Sequence, residues 1–221
     1  MHHFSYRDGQ LCCEEVGLDT LADAHGTPLY VYSATTVRDH FRRLHAALAP
    51  LDHLICYAMK ANSNLALLRL LAAEGSGFDI VSGGELFRVL RAGGRADRCT
   101  FAGVGKTVPE IEFALREGIL AFNVESEPEL ERINEVAGRI GRRAPVAFRV
   151  NPDVDPDTHK YISTGKSENK FGIGLDRIEE VYARAAGLPH IAVRGLQMHI
   201  GSQITKPGPF GEAVQKMLPL A

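Results

Sequence analysis

The stretch from Leu54 to Ser82, LICYAMKANSNLALLRLLAAEGSGFDIVS, holds two short apolar runs on either side of a helix-patterned segment. LICYAM and FDIVS lack polar alternation, as expected of parallel strands covered on both faces. Between them, Ala61-Asn62-Ser63-Asn64 caps a helix whose Leu65, Leu68 and Ala72, flanked by Leu67 and Leu71, form a broad apolar stripe on one side. That stripe packs the helix onto the sheet. The stretch is therefore a β-strand, a crossover helix and a second β-strand.

The unit repeats. Apolar, β-branched runs begin at Leu54, Phe78, Cys99, Ile119, Pro145 and Ile191, with starts 24, 21, 20, 26 and 46 residues apart. An interval of 20 to 26 residues accommodates one strand and one helix. Three helix starts carry a hydroxyl residue with Glu three positions later: Ser82 with Glu85, Thr107 with Glu110, and Ser126 with Glu129. Upstream, PLYVYS at 28–33 predicts a further strand, followed by a helix from Ser33 to about Leu48. A polar leader precedes it to about Thr27.

Length and composition agree with one large α/β domain. The chain has 221 residues, 45% hydrophobic and 24% charged, which is enough to bury a core; 22 glycines point to many tight turns. A net charge of −2 gives no electrostatic reason to expect nucleic acid or an anionic membrane as partner. The most apolar segment, LALLRLLAA, is broken by Arg69 and far too short to span a bilayer, and the start MHHFSYRDGQ lacks the pattern of a secretory signal. Four cysteines without CxxC spacing suit a reducing cytoplasm, with the thiols buried or inert.

Two motifs tempt and fail, and two more are absent. Gly103, Gly105, Lys106 and Thr107 imitate the end of a phosphate-binding P-loop, but the position of its first glycine is Thr100; a βα turn with an N-cap describes them better. Asp153, Asp155 and Asp157 alternate like a calcium loop, but its glycine position is Thr158. No GxGxxG follows the first strand, and no HxxxH or Cys/His cluster has zinc spacing.

The 46-residue interval opens with NPDVDPDTHKYISTGKSENKFGIG, a polar stretch without helical period that would overhang the carboxyl ends of the strands. Ligands bind at that end in both barrel and doubly wound folds. Lys60 ends the first strand there, its stem expected to be desolvated, which lowers an amine's pKa and frees it to attack a carbonyl. On position alone, a solvated strand-end lysine is the better description. Asp79 lies in the second strand, Arg149 ends the fifth, and His199 and Ser202 end the sixth, so parallel strands bring them to one rim. Each has an ordinary structural alternative: an ion pair, a loop anchor, a core histidine or a turn cap.

YAMKAN at Lys60, GFDIVSGGEL at Gly77, GVGKT at Gly103, NVES at Asn123, RVNPDVDPDTHKYISTG at Arg149, KFGIG at Lys170 and MHIGSQI at Met198 together resemble the diaminopimelate decarboxylases. These belong to the fold type III group that also contains alanine racemase and eukaryotic ornithine decarboxylase. The resemblance runs nearly end to end and implies a (β/α)8 barrel with pyridoxal 5'-phosphate in its mouth. It implies PLP-dependent decarboxylation of meso-2,6-diaminopimelate to L-lysine by a cytoplasmic homodimer. Lys60 matches the Schiff-base lysine, His199 the histidine stacked on the cofactor ring, Ser202 a phosphate contact and Arg149 the arginine near the ring hydroxyl. Asp79 and Glu85 match acidic residues near the Schiff base, although Glu85 equally serves as the capping-box acid.

Six strands are readable where such a barrel has eight, and no GGG or EPG occurs. The expectation is an incomplete barrel over residues 29–221, behind a leader over 1–28 that in the family packs on a C-terminal β domain. By the same reasoning these 221 residues alone are expected to be inactive. A decarboxylase of ornithine, arginine or carboxynorspermidine, and a non-catalytic PLP carrier of single-domain barrel type, are the alternatives. The HKYISTG stretch argues against the first and the count of six strands against the second.

Overall fold

The computed structural model describes residues 2–154 and 171–221. The chain opens with an antiparallel meander of β1 (Phe4–Arg7), β2 (Gln10–Cys13) and β3 (Val16–Gly17), then α1 (Leu18–His25). Asp8 and Gly9, both at positive φ (50° and 81°), turn β1 into β2. The expected strand at PLYVYS does not form; that segment reaches Ser33 without secondary structure, and Tyr30 and Tyr32 are exposed. It has strand composition, but no described strand pairs with it, and a strand needs a ladder.

Ser33 caps α2 (Ala34–Leu48), its Oγ accepting from Thr36 N at 3.0 Å. Glu14 from the meander accepts from Ser33 Oγ (2.7 Å) and Thr35 N (2.8 Å), joining the leader to that helix start. Hydrogen bonds hold this carboxyl below its usual pKa, the Thr35 backbone first and Ser33 next.

The βα repeat follows in the expected order. β4 (Cys56–Ala58), α3 (Leu65–Ala73), β5 (Gly77–Ile80), α4 (Gly83–Arg91), β6 (Cys99–Phe101), α5 (Val108–Glu117), β7 (Ala121–Val124) and α6 (Glu127–Arg139) alternate without exception. Then come β8 (Ala144–Asn151), the two-residue β9 (Ile173–Gly174), α7 (Ile178–Ala186), β10 (Ile191–Gln197) and α8 (Gly208–Met217). The HKYISTG stretch lies outside the described residues.

The sheet runs β4-β5-β6-β7-β8-β10, every pair parallel, with β9 added to β8. This sequential order never reverses, so the sheet has no switch point of the doubly wound kind and curls as the wall of a barrel. The two faces differ accordingly. Phe78, Ile80, Phe101, Phe122, Val146 and Phe148 point outward into one core with Leu68, Leu86, Ile111, Leu130 and Ile133 of the helices, all fully buried. Burying each of these side chains contributes roughly 1.5–3 kcal/mol. The opposite face carries Ala58, Asp79, Thr100, Asn123 and Ala147, which line a cavity of about 880 Å3. Small and polar residues therefore face the barrel interior.

All four cysteines are free. Burial pushes the Cys56 thiol up to about 11 and the Cys99 thiol to about 12, so both stay protonated and inert.

Candidate active site

The carboxyl ends of the strands assemble the site one loop at a time. After β4 the chain makes a 3-10 turn over Met59–Ala61 that buries Met59 and leaves Lys60 exposed. The expectation of a desolvated lysine stem is corrected here: the turn lifts Lys60 past Ala58, the last residue of β4 paired to β5, and out of the apolar strand environment. Asn62 and Asn64 fix the following loop, their side-chain oxygens accepting from Asn64 N (2.9 Å) and Ala66 N (2.8 Å).

On β5, Asp79 stands in register with Ala58 and Thr100, and Thr100 Oγ1 donates to its Oδ1 at 3.1 Å. Burial raises this carboxyl above its ordinary pKa, opposed by the Thr100 hydrogen bond and the charges of Lys60 and Lys106. Of the two roles expected for Glu85, the capping one is met in part: its backbone N–H takes the Ser82 cap, but its carboxylate bonds the residue before the cap and does not close the box as Glu110 does with Thr107. Glu85 Oε2 accepts from Val81 N at 2.7 Å, while Ser82 Oγ accepts from Glu85 N at 3.2 Å.

After β6, Gly103 adopts φ 93°, a conformation glycine alone takes freely, and Lys106 folds back beneath the turn. Its Nζ, completely buried, donates to Gly103 O (2.7 Å), Asn123 O (3.0 Å) and Glu129 Oε1 (2.6 Å). All three protons are committed, so this lysine closes a turn and binds no phosphate, in line with the rejected P-loop. Glu129 is raised in pKa by burial and held back by Lys106; its Oε2 accepts from Glu125 N at 2.9 Å.

Glu125, just past β7, is almost wholly buried. It accepts from Gly103 N through Oε1 and from Arg149 Nη1 through Oε2, both at 2.8 Å. Arg149 is itself buried within β8 and lies over the Phe171 ring at 5.9 Å; its Nε is buried and has no partner among the described residues. Sequence reasoning passed over Glu125 and the charge role of Lys106. The signal was an acid directly before the Ser126 cap and a lone lysine in an otherwise apolar turn, both readable as helix-start chemistry.

His199 lies two residues beyond β10. Burial and the positive charges of Arg149 and Lys60 lower its pKa below the ordinary 6.5, so its imidazole is neutral at neutral pH. Lys60, Asp79, Arg149 and His199 thus share one electrostatic neighbourhood. Ser202 is exposed in the bend that follows, with no hydrogen bond to the others among the described residues.

These features suit an anionic, carbonyl-bearing cofactor. Arg149 Nε is a desolvated donor with no acceptor among the described residues, Lys60 supplies an accessible amine, His199 an uncharged ring and Asp79 a carboxyl with raised proton affinity. Pyridoxal phosphate matches that donor set, with its aldehyde and its oxygens.

Known proteins point the same way. Diaminopimelate decarboxylases of Vibrio cholerae and Pseudomonas aeruginosa are each 54% identical to this chain over its whole length, and that of Aquifex aeolicus is 47% identical over 99% of it. The chain spans about half the length of these curated relatives. Among solved structures, diaminopimelate decarboxylase from M. jannaschii in complex with L-lysine matches with a TM-score of 0.92 at 37% identity, covering 100% of this chain and 53% of that one. The Helicobacter pylori enzyme complexed with L-lysine matches at 0.89 and 42%, covering 92% and 52%. A family model described as the pyridoxal-binding domain of pyridoxal-dependent decarboxylases covers residues 34–221, and the chain belongs to that family.

Proposed function

We propose that this chain supplies the pyridoxal-binding half of a diaminopimelate decarboxylase, which converts meso-2,6-diaminopimelate to L-lysine and CO2. The observation that carries the reading is identity of 43–54% to diaminopimelate decarboxylases over 94–100% of the chain. We further assign it to the cytoplasm as a homodimer. The free cysteines support that compartment, and no helix among the described residues is long and apolar enough to cross a membrane.

In this reading Lys60 attaches the cofactor through Nζ, Arg149 donates to it from Nε, His199 lies against its ring and Ser202 contacts its phosphate. When bound, pyridoxal phosphate supplies the electron sink that accepts the pair left on the α-carbon as CO2 departs. The chain's own residues set the electrostatics. A neutral His199 adds no positive charge beside the ring, leaving Lys60 and Arg149 as the cations that attract an anionic ligand. Asp79, raised in pKa and held by Thr100, can keep or release a proton at its carboxyl beside Lys60, and Glu85 shares that acidic role with its cap.

The test is covalent mapping. After incubation with pyridoxal phosphate and borohydride reduction, peptide mass spectrometry should find the label on Lys60, and Lys60→Ala should abolish it. Label on another lysine, or none, would overturn the assignment. A panel of diaminopimelate, ornithine and arginine, scored by CO2 release from a protein carrying this domain, separates the reading from its neighbours. Preference for ornithine or arginine would overturn the substrate.

A further inference from the structure

Arg149 presents a desolvated donor edge, and something must hold a buried guanidinium in that pose. Its Nη1 is fixed by Glu125 Oε2, and its Cζ lies over Phe171, which leaves Nε without a partner among the described residues. Glu125 is itself immobilised, because its second oxygen accepts from Gly103 N and its own backbone N–H donates to Glu129. Lys106 does not compete for Glu125, since its three protons go to Gly103 O, Asn123 O and Glu129. The result is a relay across three neighbouring strand ends, from the turn after β6 through Glu125 after β7 to Arg149 on β8.

We propose that Glu125 is a positioning residue: it acts through Arg149, aiming the unpartnered Nε edge at the cofactor, and does not itself touch the ligand. The proposal rests on the pyridoxal-binding reading. A carboxylate with both oxygens engaged can orient a guanidinium, whereas a mobile one would let it swing and satisfy Nε elsewhere. Shortening Glu125 or removing its charge should therefore weaken cofactor binding only as far as Arg149 contributes to it.

A double-mutant cycle tests this, read as the dissociation constant for pyridoxal phosphate by fluorescence titration of the chain, with melting temperature recorded alongside. Arg149→Met should weaken binding roughly tenfold, the order expected of one charge-assisted hydrogen bond. Glu125→Gln should weaken it to a similar degree, and the double variant should bind no worse than Arg149→Met alone. Glu129→Gln, which loosens the same network without touching Arg149, should lower the melting temperature while leaving the constant within about twofold. If Glu125→Gln does not fold, Glu125→Asp carries the same cycle. Losses that multiply in the double variant, or an unchanged constant in Glu125→Gln where Arg149→Met is weakened, would overturn the positioning role alone. An unchanged constant in Arg149→Met would instead overturn the reading of the site.

Discussion

Replacing Lys106 with Met should be among the most damaging single changes in this chain, and its cost should depend on pH. Nζ is fully buried with three acceptors, and its partner Glu129 has a side chain only 11% exposed. Removing one member of such a pair leaves a buried charge without compensation, which costs roughly 3–5 kcal/mol. For a chain of this size that corresponds to a fall of about 6–20 °C in Tm. Burial already raises Glu129 above its ordinary 4.5, and Lys106 is the first influence opposing that rise. In the variant the carboxyl moves higher still. A carboxyl with raised folded pKa contributes stability that is fully present below 4.5 and is lost as pH rises through the folded value. The deficit of Lys106→Met should therefore be smallest near pH 4.5 and grow toward pH 8. Adding Glu129→Gln removes the stranded charge while keeping an acceptor for Glu125 N, so it should restore roughly 1–3 kcal/mol and flatten the pH dependence. Urea melts of wild type, both single variants and the double at four pH values provide the assay. A Lys106→Met deficit under about 1 kcal/mol, or one that does not change with pH, would refute the buried-pair argument.

Other perturbations report on the rim and the sheet. Asp79 sits above its ordinary pKa of 3.8 because of burial, so its charge costs stability above that value; Asp79→Asn should raise Tm by about 2 °C at pH 7 and by nothing near pH 4. His199 has the opposite sign: its pKa is lowered, so its contribution is intact above 6.5 and is lost as pH falls below it. His199→Gln should flatten the loss of stability between pH 6.5 and 5 in thermal melts, and an unchanged slope would count against a buried neutral imidazole. A methyl group on Gly77 would meet Arg98 O at 2.5 Å and Cys56 Sγ at 2.7 Å, so Gly77→Ala should cost about 1–3 kcal/mol in denaturant melts despite the better strand propensity of alanine.

What could be read from sequence was whatever is encoded locally. The strands β4 to β8 and the helices between them declare themselves through unbroken apolar runs and hydroxyl-to-glutamate caps, and the helix from Ser33 to Leu48 through its Ser cap. PLYVYS was misread because strand composition says nothing about whether a partner strand lies alongside. The meander was missed although Asp8-Gly9 is a hairpin signal, since its strands are only two to four residues long. Within the site, Lys60, Asp79, Arg149 and His199 follow from one rule, that parallel strands share an end. Ser202 falls at the same end of the sheet by that rule, exposed in the bend after β10.

Glu125 and Lys106 escaped for a reason that also explains how the rim is built. Their contacts run sideways, between loops that are 20 or more residues apart in sequence, and local patterns do not show them. The capping acids do the same. Glu110 receives Thr107 N at its own helix start and, through its other oxygen, Gly83 N of the preceding helix at 2.8 Å. Glu129 approaches its own cap through Glu125 N and the preceding turn through Lys106. A carboxylate has two oxygens and a cap uses one, which leaves the second free to bond the neighbouring βα loop. Successive loops are thereby tied to each other at the end of the sheet where Lys60, Asp79 and Arg149 stand. The same glutamates that start the helices tie neighbouring loops of the rim together, so the local signal that reveals the fold also prepares the surface on which the cofactor is proposed to bind.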